Sequence, residues 1–371
     1  MTHTIKPDTL TQHFIDLSLR PSKRLASVTK AEGAVAKFLF DQARAGFQGL
    51  SGWLVSTFGE LYRDFEGPFQ GEMREWANAI GISVDEMALV NCAYELDHLQ
   101  HSWSIIEIME NLVDSFFCTA GVCFVEGHGM VHVRNLDWPI NGMGEATRLF
   151  RFRKGEHQFV SVGFPGFVGV LSGMVPGGYS ATINWAPPGA MPDFNYAPVF
   201  LLRKTLEECA TYEEAVARLR RTRLSTSVFF TVCGTEVGQG CVIERTQDEA
   251  VVRPLKDGVV AQANHHVEPR FKSNNVKLQD YVKEGDKLAK TTEQRLEQME
   301  ASLRGFTGTP HSLTDLFSIL HDDPVNNEET VQRMIFCPAK GELHVARIPR
   351  TEHFPHCSHD GNRLPTPLRR D

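Results

Sequence analysis

The spacing of apolar and polar positions changes once along the chain, just before Cys118. From about Lys30 to Leu112, apolar residues recur at three and four. Val35, Phe38, Leu39 and Ala43 make one such stripe, and Met87, Leu89, Val90, Ala93, Tyr94 and Leu96 follow an Asp85-Glu86 start. This spacing gives each segment one apolar face and predicts helices. From Cys118 onward the pattern becomes short β-rich runs separated by glycine turns. These predict strands at 118–125, 130–135, 149–153, 159–162, 168–171 and 179–183, as expected of antiparallel sheet. Helices are predicted at 198–208 and 212–221, then strands at 227–232, 240–244, 250–253 and 259–262. The polar stretch 268–290 reads as a long exposed loop. Helices at 293–303 and 313–320 and closing strands at 331–337 and 342–348 complete the pattern, with an irregular tail after Pro349. No internal repeat or low-complexity segment emerges, so the layout is helices flanking one or two antiparallel sheets.

The first two strands carry the most reactive chemistry. Cys118-Thr119-Ala120-Gly121-Val122-Cys123 runs into a turn at Glu126-Gly127-His128-Gly129, and the chain returns as Val133-Arg134-Asn135-Leu136-Asp137-Trp138-Pro139. A two-residue turn at Gly127 and His128 pairs Glu126 with Gly129 and, further out, Cys118 with Asp137. Opposite residues on one sheet face have Cβ atoms about 4.5–5.5 Å apart, near enough for the acid to orient a base that serves the thiol.

Composition narrows the alternatives. A chain of 371 residues with 42% hydrophobic content can bury a large core in one to three domains. A net charge of -8, a pI near 6.0 and the lack of a Lys/Arg block exclude a basic nucleic-acid face. Arg218, Arg220, Arg221 and Arg223 read as a solvated helix end. No apolar signal core stands at the start and no window reaches membrane-span length, so a soluble cytoplasmic protein is expected. The eight cysteines are scattered and read as reduced thiols, with Cys123, Cys233 and Cys241 taken as small buried hydrophobes.

No cofactor and no metal is expected. His353, His356, Cys357 and His359 are zinc-type donors, but their irregular spacing in the tail favours a loose polar terminus with adventitious metal at most. His128 and His132, on a hairpin, do not form a ligand pair. The glycines at 163, 166 and 169 lack the helix and acidic partner of a dinucleotide site.

Phe117-Cys118-Thr119, Arg134-Asn135-Leu136-Asp137 and the upstream segment from Ile80 to Leu96 resemble the cysteine N-terminal-nucleophile hydrolases. The nearest groups are the acid ceramidases, N-acylethanolamine acid amidases and penicillin acyltransferase-like proteins, with choloylglycine hydrolases further away. Thr182-Ile183-Asn184-Trp185, Ala261-Gln262-Ala263-Asn264-His265 and Thr291-Thr292-Glu293-Gln294-Arg295 follow in that family's order, so the resemblance covers about residues 75 to 348. It implies an α+β fold, a four-layer αββα sandwich of two antiparallel sheets. Residues 1–117 would form a helical N-terminal segment, 118–348 the catalytic domain and 349–371 the tail.

The resemblance also implies roles. Cys118 would attack the Phe117 carbonyl, and water would release a downstream chain beginning at Cys118. The new α-amine, with an unperturbed pKa of about 7.7–8.0, would then take the thiol proton. Asp137 would hold that amine, and Arg134 would lie against the nucleophile and favour its thiolate. In a flat strand Arg134 and Asp137 point to opposite faces, so both roles hold only if the strand bends or ends at Trp138-Pro139. Asn264 and Asn184 would donate to the oxyanion, and Arg295 would brace the site. Val133, Ala120 and Thr292 depart from the family's usual residues, and the linker from Leu99 to Phe117 is long.

The expected activity is hydrolysis of a linear amide of an N-acylated small molecule through a Cys118 thioester, with an amine replacing water in the acyltransferase version. Trp138, Trp185 and Phe164, with Phe116, Phe117 and Phe167, are candidates for an apolar acyl pocket. The alternatives are an uncut, noncatalytic binding protein and a thiol enzyme using His265 or His266 as base. Self-association suits a chain of this size, although no interface signature marks it.

Overall fold

The computed structural model describes residues 10–46, 55–56, 69–100, 117–193, 195–279, 285–351 and 354–355. The linker before Cys118 falls almost wholly outside them, as does the tail cluster of His353, His356, Cys357 and His359.

The chain opens with β1 (Gln12–Asp16), α1 (Ala26–Gly46), α2 (Phe69–Ile80), α3 (Val84–Val90) and α4 (Ala93–Gln100). Eight strands and two helices follow as β2 (Phe117–Val125), β3 (Gly129–Asp137), β4 (Arg148–Lys154), β5 (His157–Gly163), β6 (Ser172–Val175), β7 (Tyr179–Trp185), α5 (Pro198–Glu208), α6 (Tyr212–Arg221), β8 (Val228–Cys233) and β9 (Gly240–Arg245). Then come β10 (Ala250–Pro254), β11 (Val259–Gln262), α7 (Lys287–Lys290), α8 (Thr292–Phe306), α9 (Leu313–Ile319), β12 (Thr330–Cys337) and β13 (Glu342–Arg347). Side-chain caps start several helices: Ser83 with Glu86, Thr211 with Glu214 and Ser312 with Asp315 each exchange two hydrogen bonds, satisfying amides that the first turn leaves open.

Among the described residues the strands form two sheets, one ordered β1-β4-β5-β6-β7-β8-β9-β10 and one ordered β11-β2-β3-β12-β13. Val122, Met130, Phe229, Cys233, Val242 and Val260 pack between them. α8 and α9 cover the outer face of the smaller sheet through Leu296, Met299, Leu303, Leu316 and Ile319. α5 and α6 cover the other sheet, giving the expected four-layer α+β sandwich. Gly121 matters to this packing, because a Cβ there would stand 2.4 Å from Leu303 Cδ1 and 3.2 Å from Met299 Cγ. Its bare backbone lets α8 lie close over β2.

Several details differ from the sequence expectation. The N-terminal segment contributes β1, which joins β4 in parallel at the sheet edge, so this sheet is not wholly antiparallel. A lone edge strand of five residues carries too little alternation to be read from sequence. The strand expected at 168–171 lies later, at β6. The polar stretch 268–290 is structured in part, with a 3₁₀ helix at Pro269–Lys277 and α7 capped by Asp286.

The hairpin register is also different. Val125 pairs with Gly129, so three residues, not two, make the connection. Gly127 and Gly129 both hold positive φ, 83° and 82°, which accommodates the longer loop. The shift by one residue places Cys118 opposite Leu136, and Asp137 opposite Phe117. The thiol therefore does not face the carboxylate across the ladder.

Candidate active site

β2 is buried over nearly its whole length, so the polar groups around Cys118 must find partners inside the protein. With Ala120 opposite Arg134, alternation puts Arg134 on the same face as the thiol. Its Nη2 donates to Cys118 Sγ at 2.9 Å, while Nη1 donates to Leu171 O at 2.9 Å. Burial pushes the Cys118 thiol pKa upward, and this outweighs the downward pull of Arg134 and then Arg295. The arginine therefore restrains the rise without producing a ready thiolate.

The backbone of Cys118 is gripped at both ends. Its N–H donates to Asn264 Oδ1 at 3.1 Å, and its carbonyl accepts from Arg295 Nη1 at 3.0 Å and Asn184 Nδ2 at 3.3 Å. Arg295 also donates to Thr119 Oγ1 at 2.8 Å and to Asn264 Oδ1 at 3.0 Å. Asn264 thus presents its oxygen to the Cys118 N–H, while its Nδ2 donates to Trp185 O at 2.9 Å. The Asn184 amide is shared with Gln262 O and Ala263 O.

Asp137 lies across the strand pair from Phe117, the residue that precedes Cys118. Its Oδ1 accepts from Thr330 Oγ1 at 2.7 Å. Burial raises its pKa, opposed first by Arg295 and then by the Thr330 and Asn327 side chains. Arg134 shares the thiol's face, whereas Asp137, at the last residue of β3, shares the face of Thr119, so the two point to opposite faces, and the Cys118 N–H is bonded to Asn264 and not to Asp137. A register irregularity in β12 between Thr330 and Gln332 accompanies this strand end.

Of the proposed pocket aromatics, Trp185 is fully buried with its ring centroid 5.5 Å from that of Phe117. Trp138 and Phe164 form an edge-to-face pair at 5.8 Å within the core. All three are packed in the core. A cavity of about 310 Å³ lies elsewhere, at the β1–β4–β5 edge.

Neither candidate histidine base is bonded to the thiol. His265 Nδ1 pairs with Thr292 Oγ1 at 3.1 Å, and burial and Arg295 lower its pKa to about 4. His266 Nδ1 pairs with Glu244 Oε2 at 3.2 Å. The histidine route therefore loses its geometric basis.

Sequence reasoning missed the part played by α4. Tyr94 is buried close enough to Cys118 and Arg134 for both to act on its hydroxyl, Trp185 Nε1 donates to Asp97 Oδ2 at 2.6 Å, and Ser225 Oγ donates to Glu95 Oε1 at 2.6 Å. His98 Nδ1 meets Thr226 Oγ1. The signal was present as four polar or ionisable residues, Tyr94, Glu95, Asp97 and His98, crowded into one short helix. Thr119 and Thr292, which anchor Arg295 and the Asn264 backbone, stood within the quoted motifs but had no role assigned to them.

Comparisons with known proteins agree with this architecture. Residues 125–344 match the family described as acyl-coenzyme A:6-aminopenicillanic acid acyl-transferase, a match that begins after Cys118. The rat N-acylethanolamine-hydrolyzing acid amidase is 28% identical over 80% of this chain and 77% of its own length. The acid ceramidase of Heterocephalus glaber is 26% identical over 64% of each chain. Among solved structures, the Caenorhabditis elegans N-acylethanolamine-hydrolyzing acid amidase ortholog superposes with a TM-score of 0.50 at 23% identity, covering 62% of this chain and all of its own.

Proposed function

Because the chain belongs to the acyl-coenzyme A:6-aminopenicillanic acid acyl-transferase family, we propose that it is a self-processing cysteine amidase acting on an N-acylated small molecule. The observation that carries this reading is the cluster on Cys118: Arg134 on the sulfur, Asn264 on the backbone nitrogen, Arg295 on the carbonyl. In the first reaction the thiol attacks the Phe117 carbonyl, the C–N bond breaks, and a thioester forms with release of the Cys118 amine. Water then hydrolyses the thioester to a Phe117 carboxylate and regenerates the thiol. The liberated amine, held by Asn264 and Asp137, serves as base in turnover. It takes the thiol proton as the sulfur attacks the substrate amide, and returns it to the leaving amine before water releases the acid.

Relatives named for N-acylethanolamine hydrolysis and as ceramidases make N-acylethanolamines and N-acylated lipid amines the first substrates to try. The buried aromatics near Phe117 support an apolar acyl group. Cys118, Cys123, Cys209, Cys233, Cys241 and Cys337 are free thiols, which supports a reducing, cytoplasmic setting. Among the described residues no helix is long and apolar enough to cross a membrane. A second reading, acyl transfer to an amine, is favoured by the family's own description.

The decisive experiment is intact-mass analysis with a turnover assay. Wild-type protein should give fragments 1–117 and 118–371, and Cys118→Ala should remain intact and inactive. Normal cutting in that variant, or full activity from an unbroken wild-type chain, would overturn the reading. Product analysis with added amines separates hydrolysis from transfer. An intact chain inert to thiol-reactive acyl probes would point to a binding protein.

A further inference from the structure

At the far end of β2 from the nucleophile, three turns meet. The β2–β3 connection supplies His128, the end of β12 supplies Cys337, the start of β13 supplies Glu342, and the α8–α9 loop approaches through His311. A ring nitrogen of His128, Cys337 Sγ and a Glu342 carboxylate oxygen lie within 4.8 Å of one another. These are nitrogen, sulfur and oxygen donors from segments far apart in sequence. Cys337 and Glu342 are direct partners across the β12–β13 ladder, so their proximity is set by register. His128 joins them because the three-residue hairpin connection turns it toward Cys337; in sequence its only visible partner was His132.

The hydrogen bonding of His128 gives an independent indication. Its Nε2 is 3.0 Å from His311 O, and since a carbonyl only accepts, that nitrogen carries the proton. The other nitrogen, Nδ1, is then a bare lone pair, and it is buried without a hydrogen-bond partner among the described residues. A buried acceptor without a donor is costly. A ring fixed in one tautomer by a backbone carbonyl, its other nitrogen unpartnered and a thiol and a carboxylate beside it, is the arrangement that metal-binding histidines adopt. His344 Nε2, also buried and without a hydrogen bond among the described residues, stands 3.7 Å from Glu342 Oε2.

We propose that His128, Cys337 and Glu342 bind a divalent cation of the zinc class, with a fourth position open to water. Mixed imidazole, thiolate and carboxylate donors suit zinc rather than magnesium or calcium, which take oxygen. Tetrahedral zinc with its usual bond lengths holds its donors about 3.3–3.8 Å apart. The present cluster therefore has only to contract slightly, and Glu342, whose side chain is 45% exposed, is free to make that movement. The register sets Cys337 and Glu342 about five residues along the sheet from Cys118, about 16 Å at strand rise, so the ion staples turns and takes no part in the thiol chemistry.

The test uses the full-length protein after chelator treatment, with zinc uptake followed by equilibrium dialysis and cobalt(II) used as a spectroscopic substitute. One zinc per chain is expected, with a thermal midpoint that rises with free zinc. The cobalt–thiolate absorption should vanish in Cys337→Ser. It should persist in Cys118→Ser and in a full-length variant carrying His353→Gln, His356→Gln, Cys357→Ser and His359→Gln. Glu342→Gln, at an exposed position, should weaken zinc binding at least about tenfold. If Cys337→Ser does not fold, Glu342→Gln and His128→Gln decide. Failure to take up one equivalent, unchanged affinity in both of those variants, or a cobalt signal that follows Cys118 or the tail would overturn the proposal.

Discussion

At Cys118, burial and charge pull in opposite directions. Burial raises the thiol pKa, and Arg134 is the largest opposing influence, acting through charge and a 2.9 Å contact with the sulfur. Arg134→Gln removes the charge, so the thiol should titrate at higher pH in the processed enzyme. A charge-assisted contact of about 1.5–3 kcal/mol corresponds to about a 10- to 100-fold lower rate at neutral pH. Arg134→Lys should rescue only part of this, because one ammonium cannot reproduce the fork that spans Sγ and Leu171 O. Alkylation rate against pH checks both. Asn264 poses a separable question, since its oxygen serves the nucleophile's nitrogen and its amide is spent on Trp185 O. Asn264→Asp keeps the acceptor and removes the donor. If the amide leaves Trp185 to stabilise an oxyanion during turnover, this variant should still cut itself yet lose about 10²–10³ in kcat. Equal loss of cutting and turnover would assign Asn264 to positioning alone. The residues of this cluster were legible in sequence because several motifs recur in one order. The direction in which Asn264 presents its amide was not, because it depends on Arg295 arriving from α8.

Helix α4 introduces a pH dependence of its own. Glu95 is buried, and desolvation raises its pKa to about 7, with the Ser225 hydroxyl bond opposing. A carboxyl whose pKa is raised on folding favours the folded arrangement while it is protonated. Its contribution is complete below the ordinary carboxyl pKa of about 4.3 and is lost as pH rises through about 7. Docking of α4 over Trp185 and Cys118 should therefore weaken from weakly acidic to neutral pH. Hydrogen exchange of 93–100, corrected for intrinsic rates, should show this loosening in wild type and little of it in Glu95→Gln. A pH response retained in that variant would remove Glu95 from the role. Elements with an uninterrupted period, such as α5, α6 and β11, were legible to the residue. β1 was not, because a five-residue parallel edge strand depends on β4 for its partner. The hairpin register failed for a similar reason: both glycines were visible, but the choice between two and three connecting residues is made by packing beyond the turn. That single residue decides whether the thiol shares a face with Asp137 or with Arg134.

Across the whole molecule, the proposed cut does not coincide with a seam. β1 pairs with β4, and Leu10, Val35, Trp76 and Met87 pack in the same core as Phe150, Leu171 and Phe200. Asn91 bonds the backbone of Gly166 and Val168, at 3.1 and 2.6 Å. Glu72 meets Arg203 at 3.1 Å, and Glu32 meets Arg148 through two contacts of 2.7 and 3.1 Å, all of them buried. Each of these contacts joins a residue before Phe117 to one after Cys118. The processed protein should therefore elute as one particle containing both fragments, with separation only in denaturant. Glu32→Ala would leave Arg148 buried without its carboxylate, a loss of about 3–5 kcal/mol, and should release the 1–117 fragment at a clearly lower denaturant concentration. Arg218→Ala breaks a part-exposed pair with Glu208 and provides the contrast, with a change within about 1 kcal/mol. Size exclusion of the cut protein across a urea series reads all three. If native buffer alone separated the fragments, residues 1–117 would have to be a detachable cover, whereas a shared core and buried ion pairs make them a permanent wall of the enzyme.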